Sequence, residues 1–331
     1  MSTFTSATCL VTGAEGFLGA HLCQALSKAG ARVIGVVLNR VGETSLSALA
    51  DGSHGACRLE YGDVTDLAFL ERLVNAYEVD HVFHLAAVSA VRIARANPYR
   101  AFSTNVGGTL AVLEACRRAG RPIRSVLVAS SDKAYGAAEP PYYEEQRLEP
   151  VATYEASKAA TEMICRAYRF EHGLPVIVTR CANLYGPGDL AWSRLVPGSC
   201  RRALRGEAPI VYQEAAMAER ELLHVSDAVA AYLLLARRAR ALEHLEYNVG
   251  SGERAAILDV AGRIATLTGG PEPVLLPRPG SFQEIAMQSM DCARLEGLGW
   301  KPQIRLSDGL AATVHWYARY FGCQMRQLVI N

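Results

Sequence analysis

A chain of 331 residues with 20% charged residues and a formal net charge of +1 suits one large α/β domain, or a nucleotide-binding domain with a smaller lobe. The near-neutral balance, without a polybasic run or an acidic tail, gives no reason to expect nucleic acid or a membrane as a partner. Nine cysteines, an odd number without a CxxC pair, predict neither a disulfide framework nor a metal site. The amino terminus lacks a basic segment before an apolar one, so we expect a reduced, cytoplasmic protein.

The first pattern is a strand over Thr8 to Thr12, a glycine-rich turn, and a helix through about Ala29. The turn and the start of the helix comprise Gly13, Gly16, Phe17, Leu18 and Gly19. Glycines here let backbone N–H groups approach a pyrophosphate, which then lies at the positive end of the helix dipole. The pattern therefore predicts a dinucleotide site near the start of the chain.

A second strand runs from Arg32 to about Leu38, and an acidic residue is expected near its end to hold the adenosine ribose of NAD. The chain has Asn39 and Arg40 there instead. Asn39 can hydrogen-bond a ribose hydroxyl, whereas Arg40 could neutralise the 2′-phosphate of NADP. Both cofactors stay open at this point, and we favour NAD.

The third and fourth strands add further candidate cofactor contacts. These are Asp63, Val64, Leu85, Ala86 and Ala87. Asp63 is expected near the adenine, although it could instead cap the next helix, for which Asp66 is the better candidate. The fourth strand, from Val82 to Ala87, ends in small residues that let a cofactor lie flat across it. We interpret His84 on this apolar strand as a core histidine with satisfied hydrogen bonds, not as a ligand or a base.

A helical pattern from Tyr99 to Ala119 is interrupted by Thr104, Asn105, Gly107 and Gly108. A glycine inside a helix costs about 1 kcal/mol relative to alanine. The interruption therefore indicates close packing, and we expect Asn105 to join the helix of the active site to a neighbouring strand.

An apolar strand from Val126 to Ala129 ends in four polar or charged residues, at the position where open α/β sheets bind ligands. These are Ser130, Ser131, Asp132 and Lys133. Tyr154 and Lys158 follow at a spacing that puts both side chains on one face of a helix. A tyrosine pKa near ~10 is too high for a base at neutral pH, and a nearby ammonium would lower it. Tyr154 could then deprotonate a sugar hydroxyl; the alternative is an exposed pair on an amphipathic helix.

After a sixth strand, from Leu174 to Arg180, the alternation of strands and helices ends. We predict a dinucleotide-binding domain over residues 1–180 and mainly a substrate lobe over residues 181–331, with some segments returning to the first sheet. Isolated arginines in loops are usually solvated, but those of this half could form forked donors for a diphosphate. The candidate substrate contacts are Ser89, Asn183, Arg194, Leu195, Arg220 and Arg278.

Together these motifs resemble the extended short-chain dehydrogenase/reductase family, and within it the nucleotide-sugar 4,6-dehydratases and 4-epimerases. The resemblance extends from about Thr8 to near Tyr320. It also rests on HLAA at 84–87, SSDKAYG at 130–136, and on RCANLYGPGD, RELLHVSD and PRPG in the second half. It implies a doubly wound parallel (Rossmann) sheet with a smaller C-terminal substrate lobe, tightly bound NAD and a nucleotide-diphosphate sugar. It further implies a homodimer, in which helices at about 99–119 and 153–172 form a four-helix bundle.

Within this group, the residues after Ser131 separate two reactions. A 4-epimerase needs only Ser131, Tyr154 and Lys158, whereas a 4,6-dehydratase must also eliminate water across C5 and C6. Dehydratases of the family typically carry Asp-Glu at this point; the Asp132-Lys133 pair departs from that pattern and looks like the CDP-glucose 4,6-dehydratases, with GDP-mannose 4,6-dehydratases as the other similar group. Asp132 would be the acid for the 6-hydroxyl and Lys133 the base for C5, unless the two form a solvated turn pair. We favour the dehydratase and keep the 4-epimerase, including one acting on uronic acids, as the alternative.

Overall fold

The computed structural model describes residues 4–39, 42–49, 57–277 and 285–322. In chain order the strands are β1 Thr8–Thr12, β2 Arg32–Val37, β3 Cys57–Tyr61, β4 His81–His84, β5 Ser125–Ala129, β6 Val176–Cys181, β7 Asn183–Tyr185, β8 Ile210–Tyr212, β9 Glu219–His224, β10 Glu246–Val249, β11 Arg254–Ala256, β12 Val274–Leu276 and β13 Met287–Gln288. The α-helices are α1 Phe17–Lys28, α2 Ser45–Ala48, α3 Leu67–Ala76, α4 Val91–Ala96, α5 Pro98–Phe102, α6 Gly108–Arg117, α7 Thr153–Phe170, α8 Leu195–Ala203, α9 Val225–Arg238, α10 Ile257–Thr268, α11 Ala293–Glu296 and α12 Leu306–Tyr320.

The main sheet has seven strands in the order β10-β6-β5-β4-β1-β2-β3. All neighbouring pairs are parallel, and the chain winds outward from β1 first to β3 and then, from β4, to β10. Its inner strands β1, β2 and β5 are mainly apolar and buried because both faces are covered, whereas the edge strand β3 is partly exposed. Leu127 and Ile177 belong to one buried cluster, whereas Val126 and Val178 belong to the cluster on the other face. This confirms the predicted doubly wound fold.

The second half of the chain contributes to two structures. α9 packs against α1, and β10 extends the main sheet beyond β6. The remaining strands form a small sheet, in which β9 pairs with β7, β11 and β13, and a separate β8–β12 pair. The absence of sheet rhythm that we inferred for this half is therefore wrong, because strands of two to six residues are too short to show a clear period. A third buried cluster, which includes Tyr185, Leu222 and Leu310, forms its core.

The polar interruption in the predicted helix 99–119 is a π-helical turn, Ser103–Gly107, that joins α5 directly to α6. Such turns occur frequently at functional sites. The fourth strand is shorter than predicted: it ends at His84, so that Leu85, Ala86 and Ala87 lie in the loop after it. Among the described residues, no helix has both the length and the apolar character needed to cross a bilayer.

Candidate active site

The predicted cofactor and catalytic residues lie along one edge of the main sheet. Parallel strands bring their carboxyl ends together, so the segments after β1, β2, β3, β4 and β5 are neighbours there. These segments contain Gly13, Asn39, Asp63, Leu85 and Ser131.

The glycine turn leaves no room for side chains. Gly13 has a φ of +70°, and a Cβ atom there would lie 2.9 Å from the backbone nitrogen of Ala86. A Cβ atom on Gly19 would lie 2.2 Å from the carbonyl oxygen of Gly13. Gly16 precedes α1 without a side-chain cap, so the N–H groups of the first helical turn, which include Phe17 and Leu18, lack intrahelical acceptors. This bare, positive helix end fits the pyrophosphate of a dinucleotide.

Of the residues that the sequence predicts near the adenosine, Asn39 lies exposed just beyond β2. The Asp63 carboxylate accepts hydrogen bonds of 2.9 Å from the backbone N–H and the hydroxyl of Thr65. Asp66 caps α3 by accepting from the backbone N–H of Phe69 at 3.0 Å, which confirms it as the helix cap. The buried Val64 packs against α6, where a Cβ atom on its neighbour Gly108 would lie 2.8 Å from the valine side chain. The predicted contact Arg40 lies outside the described residues.

His84 is the core histidine that the sequence predicts. The Thr109 hydroxyl donates to the carbonyl oxygen of Asn105 at 2.6 Å, so it accepts from Nε2–H of His84 at 3.0 Å. Nδ1 of His84 then accepts from the Thr12 hydroxyl at 2.8 Å. Burial, followed by the charge of Lys158, lowers the pKa of His84 to about 3. The imidazole is therefore a neutral structural group and not a base.

Asn105 joins the helix that carries Tyr154 to the loop after β4, as the sequence predicts. Its side-chain oxygen accepts from the backbone N–H of Val88 at 2.7 Å, and its amide nitrogen donates to the Ser157 hydroxyl at 2.9 Å. The Ser157 hydroxyl in turn donates to the carbonyl oxygen of Tyr154. The π-helical turn is what presents Asn105 to both segments.

Tyr154 and Lys158 are both buried on α7, which excludes the alternative of an exposed pair. The ammonium of Lys158 donates to the carbonyl oxygen of Ala129 at 2.6 Å. Burial lowers the pKa of Lys158 to about 8, and the nearby Glu162 carboxylate opposes that shift. The Ser131 hydroxyl lies close enough to the Tyr154 hydroxyl to lower the pKa of the phenol.

The pKa of Tyr154 is raised in this structure, and not lowered as the sequence leads us to expect. Burial raises the pKa of Tyr154 to about 12, the Ser131 hydroxyl opposes the rise, and the charges of Asp132 and Arg194 act in opposite directions. The Lys158 ammonium is directed at the carbonyl oxygen of Ala129 and lies 6.0 Å from the centre of the Tyr154 ring.

Asp132 and Lys133 are not a solvated turn pair. Asp132 is only 3% exposed and accepts a hydrogen bond of 2.9 Å from the Ser131 hydroxyl. The ammonium of Lys133 lies 3.5 Å from the Asp132 carboxylate and donates to the side-chain oxygen of Asn183 at 3.3 Å. The structure thus holds a carboxylate and an ammonium in contact beside Ser131 and Tyr154.

The predicted substrate contacts lie in several different elements of the structure. Arg194 precedes α8, pairs with the Asp189 carboxylate at 3.1 Å, and is close enough to lower the pKa of Tyr154. Arg220 lies on β9, one strand from Asn183, and donates to two backbone carbonyls at 2.8 Å. Ser89 is exposed in the loop after β4, and Leu195 begins α8. Arg278 lies outside the described residues.

Sequence reasoning missed two buried residues behind the site, Glu162 and Arg180, which form an ion pair at 2.7 Å. Two features of the sequence point to them. Glu162 follows Lys158 by one helical turn on the same face of α7, and Arg180 is a charged residue near the end of the otherwise apolar strand β6.

Comparison with known proteins shows the class to which this chain belongs. Residues 9–250 match the NAD dependent epimerase/dehydratase family, and the chain is a member of that family. A dTDP-glucose 4,6-dehydratase of Streptomyces griseus is 34% identical over 320 residues, which cover 94% of each chain.

Solved structures similar to this chain also include both dehydratases and epimerases of nucleotide sugars. A dTDP-glucose 4,6-dehydratase of Streptomyces venezuelae, solved with NAD bound, is 29% identical at a TM-score of 0.84, covering 95% of this chain and 98% of that one. A UDP-glucose 4-epimerase of Thermotoga maritima, solved with UDP-glucose, is 28% identical at a TM-score of 0.82, covering 95% and 99%. The predictions of an NAD-dependent enzyme and of the nucleotide-sugar 4,6-dehydratase/4-epimerase group are confirmed.

The buried Lys158 predicts a pH-dependent contribution to stability. Its pKa falls from 10.5 in the unfolded chain to about 8 in the folded protein. Below about pH 8 both states hold the proton, and folding bears the full cost of burying the ammonium. Between about pH 8 and 10.5 the unfolded state binds more protons, so stability rises with pH. Relative to Lys158→Met, the free energy of unfolding of the wild type should rise by about 3 kcal/mol across this range.

Urea unfolding of both proteins from pH 7 to 11 measures this difference. Lys301→Met, which removes a lysine from the surface, is the matched control and should follow the wild type. Parallel pH curves for Lys158→Met and the wild type would show that burial does not perturb this ammonium.

Proposed function

We propose that this protein is a nucleotide-sugar 4,6-dehydratase that uses NAD. The observation that carries the proposal is the buried Asp132 carboxylate, hydrogen-bonded to Ser131 and paired with Lys133 next to Tyr154. Epimerisation at C4 requires proton exchange only at the 4-hydroxyl, whereas elimination of water requires a further acid and a further base. Removing a charged pair from water costs free energy, so its presence in the site supports a chemical role.

The glycine turn fits NAD, whose pyrophosphate would lie at the N-terminus of α1, with Asn39 and Asp63 toward the adenosine. When bound, NAD supplies the hydride acceptor for oxidation at C4, the donor for reduction at C6, and a positively charged ring that favours a nearby phenolate. Tyr154 removes the proton of the 4-hydroxyl, and the phenolate form is stabilised when the Ser131 hydroxyl turns from Asp132 and donates to it.

Asp132 and Lys133 supply the protons for elimination in a closed cycle. Transfer of one proton from the Lys133 ammonium to the Asp132 carboxylate, which are 3.5 Å apart, creates a neutral amine and a carboxylic acid together. The amine then takes the C5 proton, which a ketone at C4 makes acidic. The acid protonates the departing 6-hydroxyl, and water leaves. Both groups return to their initial charge states after water has left. The later reduction adds a hydride at C6 and a proton at C5, and the proton that Tyr154 took from the 4-hydroxyl balances that last transfer.

For the substrate we propose a nucleoside diphosphate hexose with a free 6-hydroxyl. Arg194 and Arg220 are the described cationic candidates for the diphosphate, and Asn183 is a candidate contact to the sugar because it lies beside the Lys133 ammonium. The similar dehydratase of Streptomyces griseus is named for dTDP-glucose, and the similar epimerase structure contains UDP-glucose. The CDP- or GDP-linked sugar suggested by the Asp-Lys pair remains a prediction.

A nucleotide-sugar 4-epimerase is the second candidate. Lys133 occupies the position where dehydratases of the family typically carry glutamate, and the structure resembles a UDP-glucose 4-epimerase. In that case Asp132 and Lys133 would position the sugar and would not transfer protons.

Incubation with CDP-, GDP-, UDP- and dTDP-sugars, followed by mass spectrometry, tests the proposed reaction. We expect one nucleotide sugar to lose the mass of one water and to give a 4-keto-6-deoxy product, because the site holds an acid and a base beyond Tyr154. Unchanged mass with a new epimer in the NMR spectrum would reject the dehydratase and support the second candidate.

We also propose that residues 1–180 bind NAD and that residues 181–331 mainly bind the nucleotide sugar, with α9 and β10 as the segments that return to the main sheet. The pairing of β10 with β6 supports this division. A cytoplasmic location fits the cysteines: the eight in the described part of the chain are free thiols, and seven of them are buried.

A homodimer through α5, α6 and α7 is the assembly that we propose. These helices contact one another and expose large apolar side chains. The exposed group comprises Tyr99 at 84%, Phe102 at 40%, Leu110 at 46%, Met163 at 53% and Phe170 at 63%. Two copies related by a two-fold axis would cover this surface with a four-helix bundle.

The dimer predicts a solution mass of twice 35.8 kDa by light scattering. Leu110→Glu combined with Met163→Glu should give a monomer, because the proposed interface would then bury two new carboxylates from each copy, four in the dimer. Met217→Glu, at a position 77% exposed outside these helices, is the control and should leave the mass unchanged. A wild-type monomer, or a dimer that survives both substitutions, would contradict the proposed interface.

A further inference from the structure

The proposed reaction requires two segments of the chain, the turn after β5 and the helix α7, to keep a fixed relative position. Tyr154 and Lys158 lie on α7, whereas Ser131, Asp132 and Lys133 lie at the start of the turn after β5. A displacement of about 1 Å between reacting groups can cost a factor of about 100 in rate. The contacts that hold the turn against the helix therefore bear directly on catalysis.

One side of the Arg180 guanidinium binds Glu162 on α7. Its Nη2 lies 2.7 Å from the Glu162 carboxylate, and its Nε lies 3.1 and 3.2 Å from the two oxygens of the same group. The side chains are 3% and 0% exposed, so the pair is fully desolvated. Glu162 also accepts a hydrogen bond from the Ser130 hydroxyl, next to Ser131.

The other side of the same guanidinium binds Tyr135, in the turn after β5. Nη1 donates to the Tyr135 hydroxyl at 2.8 Å and to the carbonyl oxygen of Glu144 at 3.1 Å. The guanidinium also lies 4.7 Å from the centre of the Tyr135 ring. Tyr135 ends the short helical turn that begins at Asp132, and its hydroxyl donates to Asn248 on β10 at 2.7 Å. Rotation of this turn would break several buried hydrogen bonds together.

We propose that Arg180, with Glu162, is a positioning residue that fixes the Ser131–Lys133 turn relative to Tyr154 and Lys158. The proposal rests on the proposed function, which makes these two segments the reacting ones. Neither Arg180 nor Glu162 needs to contact the sugar. A guanidinium is required at this position because its planar set of N–H donors reaches the Glu162 carboxylate on one side and the Tyr135 hydroxyl and a backbone carbonyl on the other.

Glu162 has a second effect through Lys158. The Lys158 ammonium is buried, and the Glu162 carboxylate one turn along the helix raises its pKa against the effect of burial. The other ionisable groups that face Lys158 are Cys165 on α7, Cys181 on β6, His84 on β4 and Tyr154. Replacing the carboxylate by an amide should shift the titration of Lys158 to lower pH.

Steady-state kinetics of Arg180→Lys test the positioning role, because lysine keeps the positive charge but loses the planar set of N–H donors. We expect kcat to fall by roughly 10- to 100-fold with KM changed less than about threefold, since orientation and not binding is lost. Tyr135→Phe keeps the ring and the ion pair while removing one acceptor, and it should lower kcat in the same direction. It also serves if Arg180→Lys does not fold.

The matched control is Arg166→Met. Arg166 also joins α7 to the main sheet, through an ion pair with Glu246 on β10, but it does not contact the Ser131–Lys133 turn. Its kcat should equal that of the wild type. Wild-type kcat in both Arg180→Lys and Tyr135→Phe, or an equal loss in Arg166→Met, would overturn the proposal.

A readout independent of turnover separates this proposal from the proposed function. The chain has four lysines, Lys28, Lys133, Lys158 and Lys301, so ¹³Cε-labelled lysine gives an NMR titration with few signals, assigned with Lys158→Arg. In Glu162→Gln the Lys158 titration should move to lower pH, whereas in Arg166→Met it should not move. A shift without dehydration of any sugar would reject the proposed function but retain the link from Glu162 to Lys158. Dehydration without a shift would reject that link.

Discussion

The ion pair between Glu162 and Arg180 is the interaction on which the arrangement of the site depends. It is fully buried, and its cost in desolvation is recovered only when every donor and acceptor around it is satisfied. Satisfying them requires Ser130 at the end of β5, Tyr135 in the turn and Glu162 on α7 to adopt one relative position. The same requirement places Ser131 beside the hydroxyl of Tyr154. The buried ion pair and the proposed positioning of the reacting groups therefore depend on one guanidinium.

Local patterns were sufficient to predict the parts of the site that depend on one strand and its following turn. The glycine turn, the helix cap at Asp66 and the core role of His84 follow from spacing and residue type, because their partners are set by the regular geometry of the βαβ unit. Asn105 was recognisable because a polar residue and two glycines oppose helix formation, although the π-helical geometry of the turn was not.

Other features depend on partners far along the chain, and the sequence could not supply them. The environment of Tyr154 combines burial with Ser131 and Asp132 from the turn after β5 and Arg194 from the loop before α8. The direction of the Lys158 ammonium, toward the carbonyl of Ala129 and not toward the phenol, is likewise a tertiary contact. The short strands of the second half of the chain were missed because two to six residues carry too little periodicity.

In the proposed mechanism Asp132 and Lys133 act as one proton-transfer pair. Its most direct test is the rate of water loss in Asp132→Asn, Lys133→Met and the double variant, measured on the sugar that the wild type dehydrates. Because each group regenerates the other, we predict that either single substitution lowers the rate at least about 100-fold and that the double variant is no more than about threefold slower than the slower single one. Losses that multiply in the double variant, or dehydration at the wild-type rate in Asp132→Asn, would contradict the claim.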